Sequence, residues 1–172
     1  TQYDHPCIED SFYNKKIDGR FRVRCSKNIK TKQSKSKISW KKRTNNTSNG
    51  LVNKEEEVEV NFQFEEFDKL VFLLENVMKN IESYERYRNV FHNEDIEIVV
   101  DKYPFGIALE IENKSKLKTA EETVLFWVKR LGLKQEDAFR LSWDDKYTEL
   151  CKQQNIEIFK HVKFDLPMPK VI

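Results

Sequence analysis

The sequence reads as an α+β protein: an antiparallel sheet closed on itself into a barrel, with helices on its outside. Three observations lead there. Segments that alternate apolar and charged residues recur along the chain, and the connections between them are short enough for antiparallel pairing. Three other segments switch to the three-and-four spacing of amphipathic helices.

In order, "GRFRVRCS" (19–26) sets Phe21, Val23 and Cys25 against Arg20, Arg22 and Arg24. "KISWKKR" (37–43) sets Ile38 and Trp40 against Ser39, Lys41 and Arg43. "KEEEVEVNFQF" (54–64) repeats the pattern with Val58, Val60, Phe62 and Phe64 against Glu57, Glu59, Asn61 and Gln63. With turn chemistry in "NTSNG" (46–50) between them, the second and third segments read as a hairpin. The lysine-rich "KNIKTKQSKSK" (27–37) reads as a loop or frayed hairpin end.

The period then changes. Phe67, Leu70, Val71, Leu74, Val77, Met78 and Ile81 mark an amphipathic helix. Strands are expected over 83–91, 96–101 and 105–113. In "KTAEETVLFWVKRLG", Thr119 is placed as an N-cap, Glu122 as its capping-box partner and Gly132 just past the end. A further helix starts at Ser142 and carries Trp143, Tyr147, Leu150 and Cys151 on one stripe. A last strand is expected over 155–167. The total is about seven strands and three helices, read as one domain over 1–172.

Bulk composition narrows little. Lys and Arg number 31 against 29 Asp and Glu, a formal +2, so net charge favours no partner class. Cys7, Cys25 and Cys151 are an odd set without C-x-x-C spacing, which suggests neither a disulfide framework nor a zinc site. No apolar run is long enough to span a bilayer, and the first ten residues lack a signal pattern. A cytoplasmic protein without membrane association is expected. The lysines of 27–37 lack interleaved aromatics, so nucleic acid is not the expected partner. His5, His92 and His161 are scattered and read as surface or capping groups. The aromatics Phe126, Trp127, Trp143 and Tyr147 read as packing.

What points to chemistry is the charge on the non-apolar strand faces. Arg22, Arg24, Lys41, Arg43, Arg86 and Arg88 are basic, and Glu57, Glu59, Asp101, Glu110 and Glu112 are acidic, segregated strand by strand. Turned into a barrel, such faces must hold water, ions or a charged ligand, because unpaired charges in low dielectric are costly. Arginine and lysine suit phosphate oxygens, and clustered carboxylates suit hard cations such as Mg²⁺ or Mn²⁺. A polyphosphate chelated to a divalent metal satisfies both sets, with no Ser, Cys or His nucleophile required. The bland alternative is that each E-x-E or R-x-R pair is a solvated sheet face.

The order of these motifs resembles the CYTH domains, or triphosphate tunnel metalloenzymes, over nearly the whole chain. "FRVR" resembles the family's L-R-I-R strand, "ISWKK" the strand ending in the tunnel lysine, and "EEEVEV" its E-x-E strand. "ERYRNVF" is similar to K-x-R-x-x-Y, with Phe91 as the aromatic. "VVDKYPFGIALEIEN" resembles the segment that closes the site, and "LGLKQEDAFRLSWDDKYTEL" the family's ending, with Trp143 in place of Tyr.

The resemblance implies an eight-stranded tunnel in which Arg22, Arg24, Lys41, Arg86 and Arg88 cradle phosphates. Lys41 and Arg88 would be the catalytic cations, and Glu57, Glu59, Asp101, Glu110 and Glu112 would hold Mg²⁺ or Mn²⁺. It implies a triphosphate-bearing small molecule as substrate and is compatible with a homodimer. Hydrolysis is favoured over ATP cyclisation, since nothing in the sequence identifies an adenine pocket. The family's N-terminal E-x-E-x-K strand does not occur among these residues. Either it precedes Thr1 and completes the tunnel, or binding of polyphosphate or nucleotide without catalysis remains. An interaction domain with a solvated charged sheet is the third alternative.

Overall fold

The computed structural model describes residues 2–4, 19–44, 52–53, 55–78, 82–139 and 141–171. The chain divides into two compact units, Thr1–Asn46 with Lys54–Tyr84, and Thr47–Asn53 with Glu85–Ile172.

In the first unit, β1 (Gln2–Asp4), β2 (Arg20–Lys27), β3 (Ser34–Arg43) and β4 (Glu55–Phe62) form an antiparallel sheet in sequence order. The expected pairing of 37–43 with 54–64 is present in β3 and β4, while the turn proposed at 46–50 lies outside the described residues. The lysine-rich loop is shorter than expected, since 34–37 already belong to β3. Asn28 organises it by accepting bonds from the backbone of Lys30 and Thr31 through its side-chain oxygen. Gly19, at φ 126°, enters β2 where a Cβ would come within 2.5 Å of Trp40 Nε1, so only glycine fits.

Helix α1 (Phe67–Val77) follows, and then the two-residue strand β5 (Ser83–Tyr84). The helix forms where the spacing predicts it. Leu74 packs with Val23 at the centre, surrounded by Phe21, Ile38, Phe62, Phe67, Leu70, Val71 and Met78. The expected Ile81 lies outside the described residues. Phe21, Val23, Ile38 and Phe62 come from one sheet face, so alternation in the strands and the helical stripe meet in one core.

In the second unit, β6 (Tyr87–His92), β7 (Ile96–Tyr103) and β8 (Gly106–Asn113) form an antiparallel sheet in order. Helices α2 (Ala120–Arg130) and α3 (Trp143–Gln154) follow, then β9 (His161–Val162). Both helix starts are capping boxes: Thr119 with Glu122, and Ser142 with Asp145. Tyr147, Leu150 and Cys151 are the buried residues of α3, and Phe105 packs its ring 5.3 Å from that of Tyr147.

The expected eight-stranded closed barrel is not what the chain forms. Among the described residues the two larger sheets are open, with β1 and β4 at the edges of one and β6 and β8 at the edges of the other. Alternation fixes which residues share a face, but closure depends on whether two edges meet, and that is not written in the alternation. Two expected strands are also shorter. The 83–91 segment breaks at 85–86, and 155–167 is extended only at His161–Val162.

The assumed polarity does not hold throughout the second unit, although Ile96 on the apolar face of β7 is 2% exposed. The apolar side of β8 was expected to pack on helices, yet Ile107 is 71% exposed. The buried residues Val99, Asp101, Tyr103 and Ala108 lie on the opposite face, the one that carries Arg88 and Glu110. Trp143 of α3 packs there, its ring 6.2 Å from Tyr103. No described helix is long and apolar enough to cross a membrane.

Candidate functional site

The first unit presents a charged face three strands wide. Strand period two puts Arg20, Arg22 and Arg24 on one side of β2, and the register aligns them with Lys41, Ser39 and Lys37 of β3. The next strand continues each row: Lys41 faces Glu57, Ser39 faces Glu59 and Lys37 faces Asn61. Lys41 Nζ lies 2.7 Å from Glu57 Oε2, and Arg20 Nη2 lies 3.0 Å from Glu55 Oε1. Lys37 donates to Glu59. Partial burial pushes the Glu59 carboxyl up, but the bond from Lys37 and the charges of Lys37 and Lys41 outweigh it and hold the group below its ordinary value.

In the second unit the charged groups converge on Asp101, which has no exposed surface. Arg88 grips it as a fork, Nε to Oδ1 at 2.7 Å and Nη2 to Oδ2 at 2.5 Å. Arg86 Nη1 lies 3.0 Å from Oδ2 and donates to the Tyr103 hydroxyl at 2.7 Å, while that hydroxyl donates to Oδ2 at 3.4 Å. The network extends to Glu110, whose Oε2 accepts from Arg88 at 3.3 Å and whose Oε1 accepts from Trp143 Nε1 at 3.2 Å. Burial works against the Arg88 charge, but the bonds and charge of Asp101, with Glu110, prevail and push its pKa above the ordinary value. Arg86 Nη2 is buried and makes no hydrogen bond among the described residues.

The ten predicted site residues therefore fall into two groups. Arg22, Arg24, Lys41, Glu57 and Glu59 share one face of the first sheet. Arg86, Arg88, Asp101 and Glu110 are bound together in the second unit. Glu112 lies on the same sheet face but turns to Lys114, 2.6 Å away. Sequence reading missed Lys37 and Glu55 as members of the first face, although their alternation places them on it, and left Arg20, which it placed there, out of the candidate site. Tyr103 and Trp143 were missed as partners of the acids. Tyr103 stands two residues after Asp101 on the same face, a signal that was present. Trp143 comes from a helix start, and no local pattern shows what it reaches.

Among the described residues no three His, Cys, Asp or Glu side chains form a group able to hold a metal ion. The nearest approach to a donor set is Glu57 with Glu59, two residues apart on one face. Mg²⁺ is commonly held by one or two carboxylates completed by substrate phosphates and water, so this pair fits an ion that arrives with its phosphate ligand. The basic groups beside it suit the phosphates themselves, arginine by its fork and lysine as a point charge. No protein-family model, curated protein or solved structure matches this chain.

Proposed function

We propose that this protein binds a triphosphate-bearing small molecule together with Mg²⁺ or Mn²⁺ and hydrolyses it, in a cytoplasmic setting. The observation that carries the reading is the three-strand charged face, where Lys41 stands in register with Glu57, Arg22 lies in the row of Glu59, and Arg24 and Lys37 fill the next row with Asn61. Without ligand Lys37 pairs with Glu59 and Lys41 with Glu57. A polyphosphate chain can exchange for the carboxylates on Lys37 and Lys41, leaving Glu57 and Glu59 to take the divalent ion. The exchange keeps the face near neutral, so neither partner is left buried and unpaired.

When bound, the ion supplies charge neutralisation and activation of water. Lys41 would stabilise charge on the transferring phosphoryl group, with Arg22 and Arg24 holding its neighbours in line. Arg86 and Arg88 offer a second set of phosphate donors, shared in this structure with Asp101 and Glu110. A homodimer is compatible with this reading.

Binding without turnover is the second reading, and one observation favours it. Each of the five predicted carboxylates already has a cationic partner: Glu57 with Lys41, Glu59 with Lys37, Asp101 with Arg86 and Arg88, Glu110 with Arg88, and Glu112 with Lys114. Phosphorus NMR with tripolyphosphate and with ATP, each with Mg²⁺ or Mn²⁺ and a chelator control, separates the readings. Metal-dependent release of orthophosphate is expected. Pyrophosphate with a cyclic nucleotide from ATP would instead show a cyclase, and shifted resonances without conversion would show a binding module. Glu57→Gln should cut turnover roughly tenfold or more while leaving the circular dichroism spectrum unchanged.

A further inference from the structure

The β2–β3 hairpin runs past its neighbours. β4 ends at Phe62, opposite Ser36, so residues 26–35 form a two-stranded ribbon with no third strand beside it among the described residues. Its charge has a single sign, for no Asp or Glu occurs between Gly19 and Asn53. Lys37, nearer the sheet, pairs with Glu59. Lys27, Lys30, Lys32 and Lys35 are exposed, and none of them has an ion-pair partner among the described residues.

The loop that carries these lysines is held by its own backbone. Asn28 N donates to Gln33 O at 2.8 Å and Lys32 N donates to Asn28 O at 2.9 Å, in addition to the two bonds that the Asn28 side chain accepts. A partner that binds here therefore meets a surface already ordered. Lys32 stands at φ 63°, in the left-handed region that glycine and asparagine favour, so a cation is kept where the backbone does not suit it. Strand alternation puts Lys27 and Lys35 on opposite faces of the ribbon, and Lys30 and Lys32 lie in the loop between them. Positive charge thus surrounds the end of the ribbon instead of covering one side. Among these lysines Ile29 is 66% exposed. A lone exposed isoleucine is ordinary, but one set among cations at the end of a projecting ribbon suits a bilayer interface, where charge meets headgroups and the apolar group sinks below them.

We infer that the β2–β3 hairpin docks this protein onto anionic lipid bilayers, with Lys27, Lys30, Lys32 and Lys35 meeting the headgroups and Ile29 entering the interface. Nucleic acid fits the same charge less well. Residues 27–35 contain no aromatic to stack on bases and no arginine to fork onto a phosphate. The expectation of no membrane association rests on the lack of a spanning run, which binding at the surface does not need. Nor does the inference depend on the triphosphate reading.

Sedimentation of the full chain with phosphatidylcholine vesicles, alone or with about one-third phosphatidylserine, tests it. Binding to the anionic vesicles alone is expected, falling steeply as salt rises. Replacing all four lysines by glutamine should weaken it roughly a hundredfold, and Ile29→Ser, at unchanged charge, about fivefold. All five residues are exposed, so these variants keep the core. Lys32→Gly should weaken binding about fivefold while the thermal midpoint holds or rises, because glycine accepts the positive φ. No binding to either vesicle, equal binding to both, or anionic binding that the fourfold variant retains would overturn the assignment. Full binding by Ile29→Ser would overturn the entry of the tip. Filter retention of single-stranded RNA at the same salt covers the competing partner. Binding tighter than that to vesicles, and lost in the fourfold variant, would make the hairpin a nucleic-acid surface and the assignment wrong.

Discussion

Asp101 has no contact with water and is held by Arg86, Arg88 and the Tyr103 hydroxyl. Removing it would leave two guanidinium groups facing each other with the carboxylate gone, one of them mostly buried. Breaking a buried pair on one side commonly costs more than the pair itself contributes. Asp101→Ala should lower unfolding stability by about 3 kcal/mol, read by urea denaturation, with Arg88 recovering part of the loss through its exposed edge. A neutral or stabilising result would show that the network is not structural.

Tyr147 offers a second test at the same scale. Burial pushes its pKa to about 12, despite the Phe159 backbone N–H that its hydroxyl oxygen accepts. A raised tyrosine pKa means that the folded state keeps the proton longer than the unfolded chain does. Its stabilising contribution is thus complete below pH 10 and lost as pH rises through about 12. In an ultraviolet titration a tyrosine step near pH 12 is expected, and Tyr147→Phe should abolish it. The charged identities at this scale were visible in the sequence. That Glu110 bonds to Trp143 was not, because Trp143 arrives from 33 residues away.

The elements themselves were legible where the signal is local. Glu122 N donates to Thr119 Oγ1 at 3.2 Å and Thr119 N donates to Glu122 Oε2 at 3.0 Å, the reciprocal bonds that the S/T-x-x-E spacing announces. Thr119→Ala should destabilise the second unit by about 1 kcal/mol, measured by thermal unfolding, and Thr119→Ser should restore most of it. Helices α1 and α3 were readable for a related reason, since their hydrogen bonds close within the segment. Strands differ, because all of their ladder hydrogen bonds lie with a partner strand. The alternation over 155–167 was real, but only His161–Val162 became strand, and 83–91 broke at 85–86. The β3–β4 register is the favourable case, in which alternation on both strands and unlike charges at Lys41 and Glu57 select the same alignment.

At the scale of the whole molecule, open sheets leave edges. β4 is an edge strand of its sheet, and Val58 and Val60 on its apolar side are each 56% exposed. Exposed apolar edges invite pairing between chains, which natural proteins counter with charge. Val58→Lys with Val60→Thr should therefore reduce concentration-dependent light scattering while leaving the charged face opposite unchanged. Unaltered scattering would show that this edge is already protected.

The sequence by itself determined which residues share each strand face, where α2 and α3 begin, and that acids and bases are grouped strand by strand. All of these follow from periods of two and 3.6 residues and from caps within a single turn. Tertiary structure alone decided that, among the described residues, the larger sheets stay open, that Asp101 is buried on its sheet face with Val99, Tyr103 and Ala108, and that the expected metal-binding carboxylates pair with cations. Edge closure, side-chain burial and ion pairing depend on groups far apart in the chain, and a repeating local pattern holds no information about which distant edge or charge will arrive.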